Sequence, residues 1–249
     1  MGTRVSPAGH GTVRRCVAAA LVAVLVGAAV PDRVGGDEPA AAVREAPPRP
    51  DRHPELTRLS KTEDVWVDAA KKEVVVGGRV ALDEGVIEVF ACPEKSKEHE
   101  AIVATRSTAR LVHAALLAIG LEPGSPVSFD PEYTPARGPV VKVRMRWQDA
   151  AGERRERPAG ELIRNTKTEQ ALDTDWVFVG SSLWRDPADG TEYYQADAGD
   201  LICVSNFATA TLDLPIESSQ SNDSLLFEVF PDRVPPRGTE VELILSAGR

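Results

Sequence analysis

Residues able to bind a metal or carry a proton crowd into one stretch, CPEKSKEHEA, running from Cys92 to Ala101. A thiol, an imidazole and carboxylates lie within nine residues there, and a second imidazole, His113, follows fourteen residues after His99. Zinc and similar divalent ions take thiolate, imidazole and carboxylate ligands together, so Cys92, His99, Glu100 and His113 form a candidate metal site. On one continuous helix the two imidazoles would stand about 21 Å apart, too far to share an ion. A strand over EAIVAT with a helix folded back on it would let them meet. The spacing fits no established motif, because EHEA is not H-E-x-x-H. The competing reading makes KEHE a solvated turn at a strand start. His113, between Leu116 and Leu117 on the helical wheel, then reads as a hydrogen-bonded core histidine.

Other chemistries find less support. VGSSLW is not the G-x-S-x-G nucleophile elbow. Gly77–Gly78 lacks the lysine and following helix of a phosphate loop and reads instead as a bulge within a strand. Ser205 and Asn206 directly follow an apolar run, where they either cap the strand end or form a pocket rim. SSQSND, from Ser218 to Asp223, reads as a flexible loop.

The elements that would position these residues begin after a long preamble. Residues 1–15 are basic, with Arg4, Arg14 and Arg15 and no acid, and Cys16 to Val30 runs apolar for 15 residues. That is short for a membrane span, which needs about 20 apolar residues. It suits a secretory signal peptide over residues 1–30, with a cleavage site near Gly27 to Ala29. The expected setting is therefore the periplasm, cell envelope or exterior, with membrane attachment only through an uncleaved signal segment. Residues 31–59, dense in Pro, Ala and charge, read as a disordered linker in which His53 is solvated. Removing residues 1–29 leaves 26 Lys+Arg against 38 Asp+Glu, a net charge of −12, which repels phosphate backbones and excludes nucleic acid as a partner. Cys92 and Cys203 then remain. In an oxidising compartment they are a candidate disulfide; the alternative is two separately buried thiols.

Residues 60–249 have the length of one domain. VWVDAAKKEVVVGGRV reads as a hairpin, VIEVFAC and EAIVAT as further strands, and VVKVRMRWQ as a strand whose Val141, Val143 and Met145 alternate with a solvated basic face of Lys142, Arg144 and Arg146. DWVFVGSSLW and TEYYQAD flank the turn RDPADG as a second hairpin, with Tyr193 and Tyr194 on opposite faces. LICVSNF, LLFEVF and VELILS complete about ten short, mainly antiparallel strands. One helix is expected over about residues 107–119, N-capped by Ser107, ended by Gly120 and largely buried. The class is α+β: a β-rich single domain with one buried helix.

EVFACP…KEHEA, VHAALLAIGLEPGSPV, DWVFVGS and GDLICVSNF, in that order, resemble the YdjY-like domain of exported bacterial proteins, over roughly Val65 to Ser246. The resemblance implies an exported setting and brings no catalytic residues. Some relatives carry a ferredoxin-like label, but a cluster takes four Cys or paired Cys and His, and Cys92 and Cys203 cannot supply it. The expectation is a non-enzymatic envelope module that binds a protein, glycan or small ligand. The alternative is a metal-dependent protein that uses Zn or another divalent ion at the Cys92 cluster.

Overall fold

Fifteen strands and one α-helix are found in the computed structural model, which describes residues 46–218 and 226–248. The expected signal segment, residues 31–45 of the expected linker, and all of SSQSND but Ser218 lie outside the described residues. In chain order the first strands are β1 (Thr57–Arg58), β2 (Val65–Asp68), β3 (Glu73–Val80), β4 (Val89–Pro93) and β5 (Ala101–Thr105), followed by α1 (Ala109–Ala118). Then come β6 (Val140–Gln148), β7 (Arg154–Pro158), β8 (Ile163–Asn165), β9 (Trp176–Phe178), β10 (Leu183–Arg185) and β11 (Glu192–Tyr194). The last are β12 (Ile202–Cys203), β13 (Leu212–Asp213), β14 (Phe227–Val229) and β15 (Glu240–Ala247).

The β-rich, one-helix expectation holds, but the sheet is more specific than a stack of antiparallel strands. Its order runs β3–β15–β6–β9–β13–β12–β4–β5, and β5 pairs back onto β3 to close an eight-stranded barrel. Two of its pairings, β4–β5 and β12–β13, are parallel. The strands β1 and β2 extend outward from β3, β7 is added beside β6, and β8–β14 and β10–β11 form small sheets of their own.

Closure happens along β3. Its first half pairs with β2, from Val65↔Val76 to Asp68↔Glu73, and its second half with β5, from Gly78↔Thr105 to Val80↔Val103. Gly77–Gly78 therefore marks a change of partner on one edge. It is not a bulge, since the register with β15 on the other edge runs without a shift. A Cβ at Gly78 would stand 2.6 Å from the carbonyl oxygen of Ala104, so only glycine lets the two strands approach there.

Alternation along the strands divides the core. Val65, Val67, Val74, Val76, Leu243 and Leu245 face the main cluster with Val112 and Leu116 of α1. The opposite face of β2, β3 and β15 carries Trp66, Val75 and Ile244, covered by Leu56. Here the expected linker is corrected. Residues 46–59 are a strap on the barrel wall: Asp51 accepts the indole N–H of Trp66 at 2.9 Å, and His53 packs edge-on to that ring and meets Glu242 at 2.7 Å. The apolar cost of leaving Trp66 uncovered is what ties down so polar a segment. A third cluster explains the continuous apolar run of β4. Phe90 and Ala91 enter the main core, while Val89 and Cys92 pack with Cys203, Val177 and Val179.

The alternation on β6 is as expected, Val141, Val143 and Met145 being buried. Its basic face is not simply solvated, because Arg144 and Arg146 both bond Glu156 of β7, at 2.8 and 2.9 Å.

Candidate functional site

The metal cluster expected around Cys92 does not assemble. No group of three His, Cys, Asp or Glu side chains among the described residues is arranged to hold an ion. Cys92 is fully buried, and burial pushes its thiol up to about 11. His99 sits at the surface in the 3-10 turn Glu98–Glu100, its side chain 78% exposed and 3.9 Å from Glu100. His113 is held elsewhere, on α1. The carboxylates of the stretch already have cations: Glu98 accepts from Arg79 at 2.7 Å, and Lys97 lies 3.3 Å from Glu100, 3.2 Å from Asp200 and 4.2 Å above the Phe207 ring. CPEKSKEHEA is thus a strand end and a charge-paired turn.

The other expected sites are corrected too. Cys92 and Cys203 are both free, buried thiols rather than a disulfide. Ser205 and Asn206 are buried rather than on a rim. Asn206 donates to Asp213 at 3.3 Å and to the Leu214 carbonyl at 3.1 Å, and accepts from the Ser218 N–H at 2.8 Å, closing a strand end by backbone bonding.

His113 does line a site. Thr108, not Ser107, caps α1, accepting the Leu111 N–H at 3.3 Å, while Glu63 accepts from the Thr108 N–H at 2.6 Å. This sets the rotation of the helix. It buries Val112, Ala115 and Leu116 but leaves Leu117 45% exposed, so the helix is less enclosed than its composition suggests. The helix ends as expected at Gly120, where Leu121 N–H returns to the Leu116 carbonyl at 3.2 Å.

From α1 the His113 ring reaches across to the end of β9. Nδ1 lies 3.1 Å from the Gly180 carbonyl and 2.9 Å from the Tyr194 hydroxyl, which itself donates to Gly180 at 3.0 Å. A carbonyl only accepts, so this network assigns the proton to Nδ1 and leaves Nε2 an acceptor. Nε2 has no partner among the described residues. The ring stands edge-on to Phe178 and Tyr194, and desolvation lowers its pKa, keeping it neutral at neutral pH. A side chain at Gly180 would strike Pro123, 2.5 Å from the Cβ position, and its φ of +87° suits glycine alone. Burial drives the Tyr194 phenol up to about 12, so it stays a donor.

β10 and β11 rise beside this network as a two-stranded hairpin, with Leu183 opposite Tyr194 and Trp184 opposite Tyr193. Strand pleating divides its side chains. Leu183, Glu192 and Tyr194 join His113, Leu117 and Pro123 around a groove of about 610 Å³. Trp184 and Tyr193 belong to a second concavity of about 670 Å³ on the other face, shared with Gln195, Asp197 and Thr209. Four of the seven large apolar side chains exposed among the described residues, Leu117, Leu183, Trp184 and Tyr193, belong to these two walls.

A family model described as the YdjY domain matches residues 65–246. The chain belongs to the YdjY-domain family. Neither the curated proteins nor the solved structures contain a match to it. The YdjY domain spans nearly all of the barrel, with α1 and the hairpin inside it and the strap before it. The sequence puts Tyr193 and Tyr194 on opposite faces, as they are, but that alternation speaks against an aromatic surface until Tyr193 is paired with Trp184 across the hairpin. Nothing in the sequence placed His113 against Gly180, because the two are 67 positions apart.

Proposed function

We propose that this protein is an exported, non-enzymatic binding module of the cell envelope, recognising its ligand with α1 and the β10–β11 hairpin. The observation that carries this reading is that four exposed large apolar side chains belong to α1 and the hairpin, Leu117 and Leu183 in the groove and Trp184 and Tyr193 on the outer face, since clustered exposed apolar area marks binding surfaces. Export rests on the basic and then apolar residues 1–30 and sets the class of partner: an envelope protein, a glycan or a small ligand.

The test is a fragment screen read by amide shifts of the purified protein. Hits should perturb Leu117, Gly180 and Leu183 together, and Leu117→Asp should abolish them. Hits that gather instead at the concavity of Arg52, Arg146 and Trp147 would move the site there.

One observation favours a second reading, proton transfer by His113. Its ring is oriented by Gly180, neutral, and open at Nε2, as a general base must be. Turnover in a hydrolase or isomerase screen that is lost in His113→Ala but not in Leu117→Asp would establish it over the first.

A further inference from the structure

We infer that the outer face of the hairpin is a saccharide platform that takes a neutral or amino sugar. The ring centroids of Trp184 and Tyr193 lie 5.7 Å apart with 34° between their planes, and the two side chains are 47% and 49% exposed. Two rings side by side, tilted by only 34° and open to water on one side, make a shallow shelf, not a box. The apolar C–H face of a pyranose stacks on such a shelf, burying aromatic area that is otherwise costly to expose.

Sugar hydroxyls both donate and accept, so a sugar site needs polar groups of both kinds that are not already spent. They are present at the edge of the shelf. The Gln195 side-chain amide has no partner among the described residues, and offers two donors and an acceptor. Asp197 uses Oδ1 for the Arg110 N–H at 3.1 Å and keeps Oδ2 free. Thr209 is less available, since its hydroxyl donates to Asp200.

Charge narrows the class. The cations nearby are turned to other partners: Arg185 to Glu192 at 2.6 Å, Lys97 to Asp200 and Glu100, and the Arg110 guanidinium to the Glu192 carbonyl at 3.3 Å, on the groove side. The remaining free charge at the shelf is the Asp197 carboxylate, which repels uronates and sulfated sugars. A quaternary ammonium would fit the charge, but it seeks rings that enclose it. It also has no use for the donors of Gln195. A neutral sugar or an aminosugar uses every free group.

This inference rests on the hairpin being a recognition element. It is tested by titrating purified protein with cellohexaose, chitohexaose and chitosan hexamer, with choline and a hyaluronan fragment as contrasts, and following Trp fluorescence and amide shifts. One of the first three should saturate. Trp184→Ala should weaken it at least about tenfold and Gln195→Ala about fivefold, while Trp184→Phe, which keeps a ring, retains most of the affinity. Unchanged melting curves of the variants show that the fold survives.

Saturation that Trp184→Ala leaves intact, tighter binding of choline or hyaluronan, or no saturation by any hexamer at millimolar concentration would each overturn the inference. The two readings fail separately. Without sugar binding, fragment hits that still map to Leu117 and Leu183 preserve the module and remove only the sugar.

Discussion

Asp213 lies fully buried on β13, its Oδ1 accepting from the Leu214 N–H at 2.8 Å and from Asn206, while Oδ2 has no partner. Desolvation outweighs those two bonds and raises the carboxyl from 3.8 to about 7. A group whose pKa rises on folding contributes stability that is complete below its unfolded value and lost as pH rises through the folded one. The fold should therefore weaken between about pH 4 and 7 by on the order of 4 kcal/mol at most. Asp213→Asn keeps the acceptor toward Leu214 and removes the charge, so it should flatten that part of the curve and leave the variant more stable at pH 8. Urea denaturation at intervals from pH 4 to 8 measures both slopes; parallel slopes would give Asp213 an ordinary carboxyl. The buried thiols allow a second test at this scale. With Cys92 at about 11 and Cys203 raised further by burial, neither should react with iodoacetamide at pH 8 in protein freed of residues 1–30, and so of Cys16, until denaturant is added, whereupon mass spectrometry should show two additions. One addition to native protein would mean an accessible thiol.

At the scale of elements, what could be read from sequence was what repeats locally. The β2–β3 hairpin, β6 and α1 show their periods within a dozen residues, and each stands where expected. The cap of α1 shifted by one residue because Glu63, forty-five positions away, bonds the Thr108 N–H and hydroxyl. The strap was illegible for the same kind of reason. Its Pro and charge content reads as disorder, yet Asp51, Arg52, His53 and Arg58 are selected by one ring, Trp66, which Arg52 and Arg58 approach at 5.9 and 5.6 Å. The physical consequence can be measured. A chain beginning at residue 60, as the sequence boundary suggests, exposes Trp66 and leaves Val75 and Ile244 without Leu56. It should be less stable than one beginning at residue 46 by at least about 3 kcal/mol, the scale of uncovering large apolar side chains. Asp51→Ala in the longer chain should cost about 1 kcal/mol through the lost indole bond. Equal denaturation midpoints for the two lengths would return the strap to the status of a linker.

At the scale of the whole molecule, closure of the barrel depends on residues that no local pattern marks. The β3–β5 seam holds three residue pairs, against seven between β3 and β15, so it is the thinnest pairing along β3, although the ring is thinner still at β12–β13, with one pair, and at β6–β9 and β9–β13, with two each. What makes the seam possible is the absence of a side chain at Gly78, where a Cβ would meet the Ala104 oxygen at 2.6 Å and Val103 Cγ1 at 3.1 Å. A strand reading of VVVGGRV treats the two glycines as a defect, because it cannot see that β5, more than twenty positions on, must lie against them. The same closure positions the candidate site: β5 leads directly into α1, and α1 carries His113 to the end of β9. Gly78→Ala should therefore do more than overpack one contact, which alone costs about 1–3 kcal/mol. It should raise amide exchange across Val103 to Thr105 ahead of β6 and β15, and loosen α1 against β9 so that the His113 ring becomes more solvated; relief of desolvation, the larger effect, then moves its pKa back up even though a weaker Gly180 bond acts the other way. Exchange that rises uniformly over the barrel, with the His113 titration unmoved, would show that the seam and the site are mechanically separate.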